Sequence, residues 1–121
     1  MRALIVDDSK AMRMIIGKTL KEVGFDVTEA CHGLDALERL KEEDKFDLVM
    51  VDWNMPEMNG YDFVCAVRAD AVYNDLQLMM VTTEAEMSQV IKALEAGANE
   101  YIMKPFTKDA IVGKLQILGL L

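Results

Sequence analysis

The sequence predicts an α/β fold: a five-stranded parallel sheet with helices on both faces. Three observations predict it. Short apolar, β-favouring runs recur five times along 121 residues. Each is followed by a segment whose apolar residues return at helical spacing. The apolar runs also end abruptly in polar residues, as buried strands do at a sheet edge. Strands alternating with helices imply βαβ units, and such units bury a parallel sheet on both sides. The length is that of one domain, expected to span residues 1–121.

The elements follow in order. Ala3–Val6 is the first expected strand, ending at Asp7-Asp8. Ser9 is a helix cap, and Met12, Ile16, Leu20 and Val23 mark the helix behind it, with Gly24 as a left-handed stop. Phe25–Ala30 reads as a weaker strand. Gly33–Lys41 reads as a helix with Leu34, Leu37 and Leu40 on one side, running into a charged loop, Glu42–Lys45. Phe46–Val51 is the third expected strand. After Asn59-Gly60, a helix turns Phe63, Val64 and Val67 inward, and Asp70–Asp75 is a polar loop. Leu76–Val81 is a strand ending in Thr82-Thr83. Met87, Val90, Ile91 and Leu94 mark the fourth helix, stopped at Gly97. Ala98–Met103 is the last strand. Thr107 caps a final helix with Ile111, Leu115 and Leu118 inward.

Composition narrows the function. A net charge of −8 argues against a nucleic-acid surface, which needs a basic patch. The two cysteines, Cys31 and Cys65, form no metal-binding or disulfide pattern and are expected to be small buried hydrophobes in a reducing compartment. No stretch approaches a membrane span and the apolar run at the N-terminus is too short for a signal peptide, so a cytoplasmic location is expected. Most of the ten methionines sit at helical or strand core positions and read as core filler. His32, the single histidine, reads as a surface loop residue.

The chemistry centres on Leu48-Val49-Met50-Val51-Asp52-Trp53-Asn54-Met55-Pro56. A carboxylate directly after a buried strand is costly without partners. Partners are available: Asp7 and Asp8 follow the first strand, Thr82 ends the fourth and Lys104 follows the fifth. In a parallel sheet all carboxyl ends share one edge. In the five-stranded order 2-1-3-4-5 the switch point lies between strands 1 and 3, where open α/β sheets bind ligands. Three crowded carboxylates repel, and a hard divalent cation such as Mg²⁺ relieves that repulsion while leaving positions for phosphate oxygens. A carboxylate nucleophile, a cation, a lysine and a hydroxyl together suit phosphoryl transfer. Taken singly, each residue has a plainer reading: Asp-Asp before a helix is a cap, Thr at a strand end a turn residue, Lys before Pro a loop residue. Their coincidence at one edge favours the site.

Four motifs then carry a resemblance: Leu4-Ile5-Val6-Asp7-Asp8-Ser9, Asp52-Trp53-Asn54-Met55-Pro56-Glu57-Met58-Asn59-Gly60, Val81-Thr82-Thr83-Glu84-Ala85 and Tyr101-Ile102-Met103-Lys104-Pro105-Phe106-Thr107. Over its whole length the chain resembles the receiver domain of bacterial two-component response regulators, and among these the CheY-like single-domain chemotaxis regulators. The resemblance implies a flavodoxin-like fold with strand order 2-1-3-4-5, an order for which this family is itself a standard example. It implies that Asp52 is the phosphoacceptor, with Lys104 and Thr82 each engaging a phosphoryl oxygen. It implies Mg²⁺ held directly by Asp8 and Asp52, by Asp7 through water and by the backbone carbonyl of Asn54. Asn54 and Glu84 occupy the positions that tune autodephosphorylation. Thr82 and Tyr101 occupy the switch positions, and Lys104-Pro105 is expected to be cis. Trp53, beside the site, is expected to be partly exposed and to report metal and phosphoryl binding.

The implied function is a phosphorylation-activated signalling switch supplied by a histidine kinase. Output is expected by protein–protein contact through the face of the fourth helix, fifth strand and fifth helix, including Ser88, Lys92, Glu95, Asn99, Tyr101 and Lys114. A chemotaxis role at the flagellar motor switch is favoured, with a phosphatase as a further partner. A phosphorelay intermediate, a phosphate sink or a receiver cut from a longer regulator are the alternatives. No enzymatic turnover is expected beyond self-catalysed phosphoryl acceptance and autodephosphorylation. An aspartyl-phosphate hydrolase would need a second acid two residues past its nucleophile, where this chain has Asn54. A nucleotide or flavin module lacks its glycine-rich motif after the first strand. A phosphorylation-independent binding module would leave the acidic pair, Asp52, Thr82 and Lys104 without a purpose.

Overall fold

Apolar strands and amphipathic helices bury their faces in two layers around a central sheet. The computed structural model describes residues 1–42 and 45–121. The elements are β1 (Arg2–Val6), α1 (Lys10–Glu22), β2 (Asp26–Ala30), α2 (Gly33–Glu42), β3 (Leu48–Asp52), α3 (Gly60–Arg68), β4 (Gln77–Thr82), α4 (Met87–Ala96), β5 (Glu100–Met103) and α5 (Lys108–Ile117). The sheet is parallel throughout, in the order β2-β1-β3-β4-β5, as expected. The accessible surface is 6292 Å², against about 6,500 Å² for a folded chain of this mass.

Strand alternation sorts the core into two halves. Ala3, Ile5, Leu48, Met50, Met79 and Val81 face α1 and α5, where Ile16, Leu20, Ile111 and Leu115 close the packing. Leu4, Val6, Val49, Val51, Leu78 and Met80 face the other side, against Ala36 and Leu40 of α2, Phe63, Val64 and Val67 of α3 and Ala93 of α4. All five residues of β3 are buried, which fits its central place.

The structure corrects several expectations. Leu34 points outward from α2, whose buried positions are Gly33, Ala36 and Leu40. Ile91 marks α4 but is 63% exposed. Cys31 is exposed and Cys65 half-buried, so neither is a fully buried hydrophobe. His32 is half-buried and its Nδ1 accepts the backbone N–H of Asp35 at 3.1 Å, which makes it a cap for α2. The third strand begins at Leu48 rather than Phe46, since the Asp47 carboxylate turns back to accept the N–H of Arg2 at 2.9 Å. The polar loop after α3 contains a short 3₁₀ turn, Ala71–Tyr73. The expected charged loop Glu42–Lys45 includes residues 43 and 44, which lie outside the described residues.

Candidate functional site

The register of the sheet brings the polar residues together. Val6 lies opposite Val51, so Asp7 falls level with Asp52. Asp52 lies opposite Val81, and Thr82 opposite Met103, so Thr82 and Lys104 continue the same edge. The Lys104 N–H donates to the Thr82 carbonyl at 2.7 Å and holds that corner closed. The Lys104-Pro105 bond is cis.

Asp7, Asp8 and Asp52 each offer a carboxylate oxygen within 4.8 Å of the others. Asp7 and Asp52 are buried, whereas Asp8 is exposed. Lys104 Nζ donates to Asp52 Oδ1 at 3.0 Å and stands 3.8 Å from Asp7 Oδ2. Asp7 is held from two sides: its Oδ1 accepts the N–H of Ser9 at 2.8 Å and its carbonyl accepts from Arg13 at 2.6 Å. Burial pushes the Asp52 carboxyl up to about 6, against the pull of its hydrogen bond to Lys104 and with the neighbouring charges of Asp7 and Glu86 adding to the rise. Burial likewise raises Asp7, although the Ser9 N–H and Lys104 oppose it.

The donor set fits Mg²⁺. Every candidate ligand is an oxygen, three of them from carboxylates, the preference of a hard cation. The Asp7 Oδ2 atom is buried and takes no hydrogen bond among the described residues. An orphaned, buried carboxylate oxygen beside two further carboxylates is the arrangement that a divalent cation satisfies.

The remaining candidates divide. Thr82 is fully buried, and by alternation its side chain faces the α4 side with Met80 rather than the Asp52 side. Its hydroxyl stands 3.2 Å from the Thr83 carbonyl and 3.4 Å from Glu86 Oε1. Tyr101 lies opposite Met80, so it shares that face one strand away, and it is half-buried. Lys114 Nζ sits 4.6 Å from its ring centre and 3.0 Å from Glu100 Oε1, which also accepts the Tyr101 N–H. Asn54 and Glu84 are both exposed in the loops beyond Asp52 and Thr82.

Trp53 is buried, at 7% exposure, contrary to expectation. The loop behind Asp52 folds over it: Trp53 N–H reaches the Val81 carbonyl and its own carbonyl accepts from Gly60. A Cβ on Gly60 would lie 3.0 Å from Trp53 Cα and 3.1 Å from the Asp52 carbonyl oxygen, so that close return requires glycine. Glu57 turns the loop with a left-handed φ of 66°. Of the expected output face, Ser88, Lys92, Glu95 and Asn99 are exposed. Lys92 and Glu95 nevertheless line a groove of about 610 Å³ with Trp53 and Tyr61, toward α3. Asn99 is engaged in structure, since its Oδ1 accepts from Leu78 N and from Arg68, each at 2.8 Å.

Two residues escaped sequence reasoning. Glu86 joins the site through Thr82 and Thr83. Its only sequence signal was the Thr83-x-x-Glu86 capping-box spacing. Arg68 ties the far end of α3 to the carbonyls of Tyr73, Leu76 and Gly97. Nothing in its own neighbourhood announces that role.

Comparison with known proteins agrees with this geometry. The chain is 46% identical to the chemotaxis protein CheY1 of Helicobacter pylori, over 98% of this chain and 96% of that protein. It is 48% identical to a chemotaxis protein CheY homologue of Campylobacter jejuni, over 98% of this chain and 93% of that protein. The structure of the chemotaxis response regulator CheY4 of Vibrio cholerae superposes with a TM-score of 0.89 at 33% identity, covering 97% of each chain. Residues 3–116 match the family described as the response regulator receiver domain. With a sheet of the same order and relatives of this similarity along nearly its full length, the chain belongs to the response regulator receiver domain family and is similar to its CheY chemotaxis members.

Proposed function

We propose that the chain is a phosphorylation-activated switch of a two-component system, accepting a phosphoryl group on Asp52 from the phosphohistidine of a histidine kinase. The observation that supports this most is the placing of Lys104 Nζ 3.0 Å from Asp52 Oδ1 on a rim that also carries Asp7 and Asp8. Asp52 Oδ forms the new P–O bond as the P–N bond of the donor breaks, and the imidazole leaves with the electron pair. Lys104 meets the charge of a phosphoryl oxygen. Asp8 and Asp52, with Asp7 behind them and the Asn54 carbonyl beside them, are the residues to hold Mg²⁺. When bound, the ion offsets the negative charge on the phosphoryl oxygens.

Asn54 and Glu84 are solvent-facing neighbours of the site, placed to influence the water that hydrolyses the aspartyl phosphate. Thr82 and Tyr101 share one face of adjacent strands, so movement of the Thr82 hydroxyl toward a phosphoryl oxygen alters the space beside the Tyr101 ring. Output passes through the α4–β5–α5 face, where Ile91 and Met103 add apolar surface, 63% and 37% exposed, to Tyr101 and Lys114. The role favoured by similarity is chemotaxis, with the flagellar motor switch as target and a phosphatase as antagonist. On this reading the protein works in the cytoplasm and turns over no substrate beyond its own phosphoryl group; no helix of the described residues is long and apolar enough to cross a membrane. Incubation with acetyl phosphate and Mg²⁺ is expected to add one phosphoryl group per chain, read by intact mass. Undiminished labelling of Asp52→Asn would remove Asp52 from its role.

A further inference from the structure

Thr82 does not rest toward Asp52. Its hydroxyl faces two acceptors at the start of α4, the Thr83 carbonyl at 3.2 Å and Glu86 Oε1 at 3.4 Å. The same Glu86 oxygen accepts the Thr83 N–H at 2.9 Å and the Thr83 hydroxyl at 3.0 Å. The Glu86 N–H in turn donates to the Thr83 carbonyl at 3.0 Å. One carboxylate oxygen thus gathers three donors from the two residues where β4 hands over to α4. Its charge is also felt at Asp52.

We propose that Glu86 is a resting-state latch, a positioning residue that holds the Thr82 hydroxyl on the α4 side and releases it when a phosphoryl group arrives. The latch rests on the reading of Asp52 as phosphoacceptor. A hydroxyl has one proton to give, so Thr82 donates either to Glu86 and its neighbouring carbonyl or to a phosphoryl oxygen. A carboxylate is the stronger kind of acceptor, which favours the resting arrangement. Phosphorylation replaces the single charge of the Asp52 carboxylate with a phosphoryl group of about −1.5 to −2 on the far side of Thr82 and supplies an anionic competitor for its proton. Once Thr82 leaves, Glu86 keeps only the Thr83 donors and faces a new negative group. The segment Glu84–Glu86 that leads into α4 then loses one of its ties. A ligand shifts such an equilibrium only by its preference for one state, so weakening the latch must strengthen apparent binding.

The test uses Mg²⁺ with beryllofluoride, a phosphoryl mimic, titrated into the full chain and followed by amide NMR of Thr83 and Tyr101. Glu86→Gln keeps an oxygen for the Thr83 N–H and removes the charge. It is expected to tighten apparent beryllofluoride binding about threefold to tenfold, the size of one modest hydrogen bond. In the chain without metal or mimic, its Tyr101 amide is expected to move part-way toward the bound position. In a Thr82→Ala background the gain from Glu86→Gln is expected to fall by about half or more, since residues that act on each other are not additive. An unchanged affinity for Glu86→Gln overturns the latch, as does an equal gain with and without Thr82. Failure of the wild-type chain to bind the mimic overturns the Asp52 reading and the latch with it.

Discussion

Asp52 is a buried carboxylate held on a rim with two other acids, and its titration should show it. Its folded value is raised to about 6 from an ordinary 3.8, chiefly by burial. A raised folded value means that the native state is favoured while the group is protonated. That contribution is complete below 3.8 and is lost as pH rises through about 6. At pH 7.5, in the metal-free chain, ionised Asp52 therefore works against folding by about 1–2 kcal/mol after solvent screening. Asp52→Asn should accordingly raise the thermal midpoint at pH 7.5 in the absence of metal, with the gain vanishing toward pH 4 in calorimetry. Acceptance of a phosphoryl group needs the ionised form, which burial disfavours and a bound cation favours, so labelling of the wild-type chain should fall at acid pH and should fall earlier when Mg²⁺ is limiting. Asp7, Asp8, Asp52, Thr82 and Lys104 were all legible as candidates, because each lies at or directly after the carboxyl end of an apolar strand. The burial of Trp53 was not, because it depends on the path of a loop returning through Gly60. The reach of Glu86 to Thr82 was hidden for a similar reason, since a capping spacing does not say what else the carboxylate meets.

At the scale of elements, one side chain does much to join α3 to β4 and to the turn after α4. Arg68 donates to the carbonyls of Gly97, Tyr73 and Leu76 at 2.9, 2.6 and 2.7 Å, and to Asn99. Gly97 has a φ of 126°, and a Cβ there would come within 2.6 Å of Arg68 Cγ, so the turn and the arginine are fitted to each other. Arg68→Ala leaves several acceptors short of donors and should destabilise the fold by about 2–3 kcal/mol. The measurement is a urea midpoint that shifts without a change in slope. Arg68→Lys should recover little, since a point charge cannot reproduce the planar fork. The strands and helices themselves were readable from alternation and helical spacing. Leu34 and Ile91 show the limit of that reading: apolar residues at helical spacing need not face the core. Ile91 is left on a face that β5 and α5 do not cover.

For the whole molecule, a two-layer core and a parallel register make one edge the meeting place of every polar strand end. Binding of Mg²⁺ to that edge should raise the global stability in proportion to its occupancy, because the unfolded chain does not hold the three acids together. Asp8→Ala, exposed and outside the core, should abolish that metal-dependent gain while leaving the metal-free midpoint within about 0.5 kcal/mol. The fold class and strand order followed from the sequence with the resemblance as guide. Which groups the edge would bring into hydrogen-bonding reach needed coordinates, since a register places residues level without aiming their side chains. The claim that everything else depends on is that the phosphoryl group enters at Asp52. The chain should be phosphorylated by a phosphohistidine donor, reduced with borohydride to trap the acyl phosphate, digested and mapped by mass spectrometry. A single modified site at residue 52 is expected; modification at Asp7 or Asp8 with residue 52 untouched would contradict it.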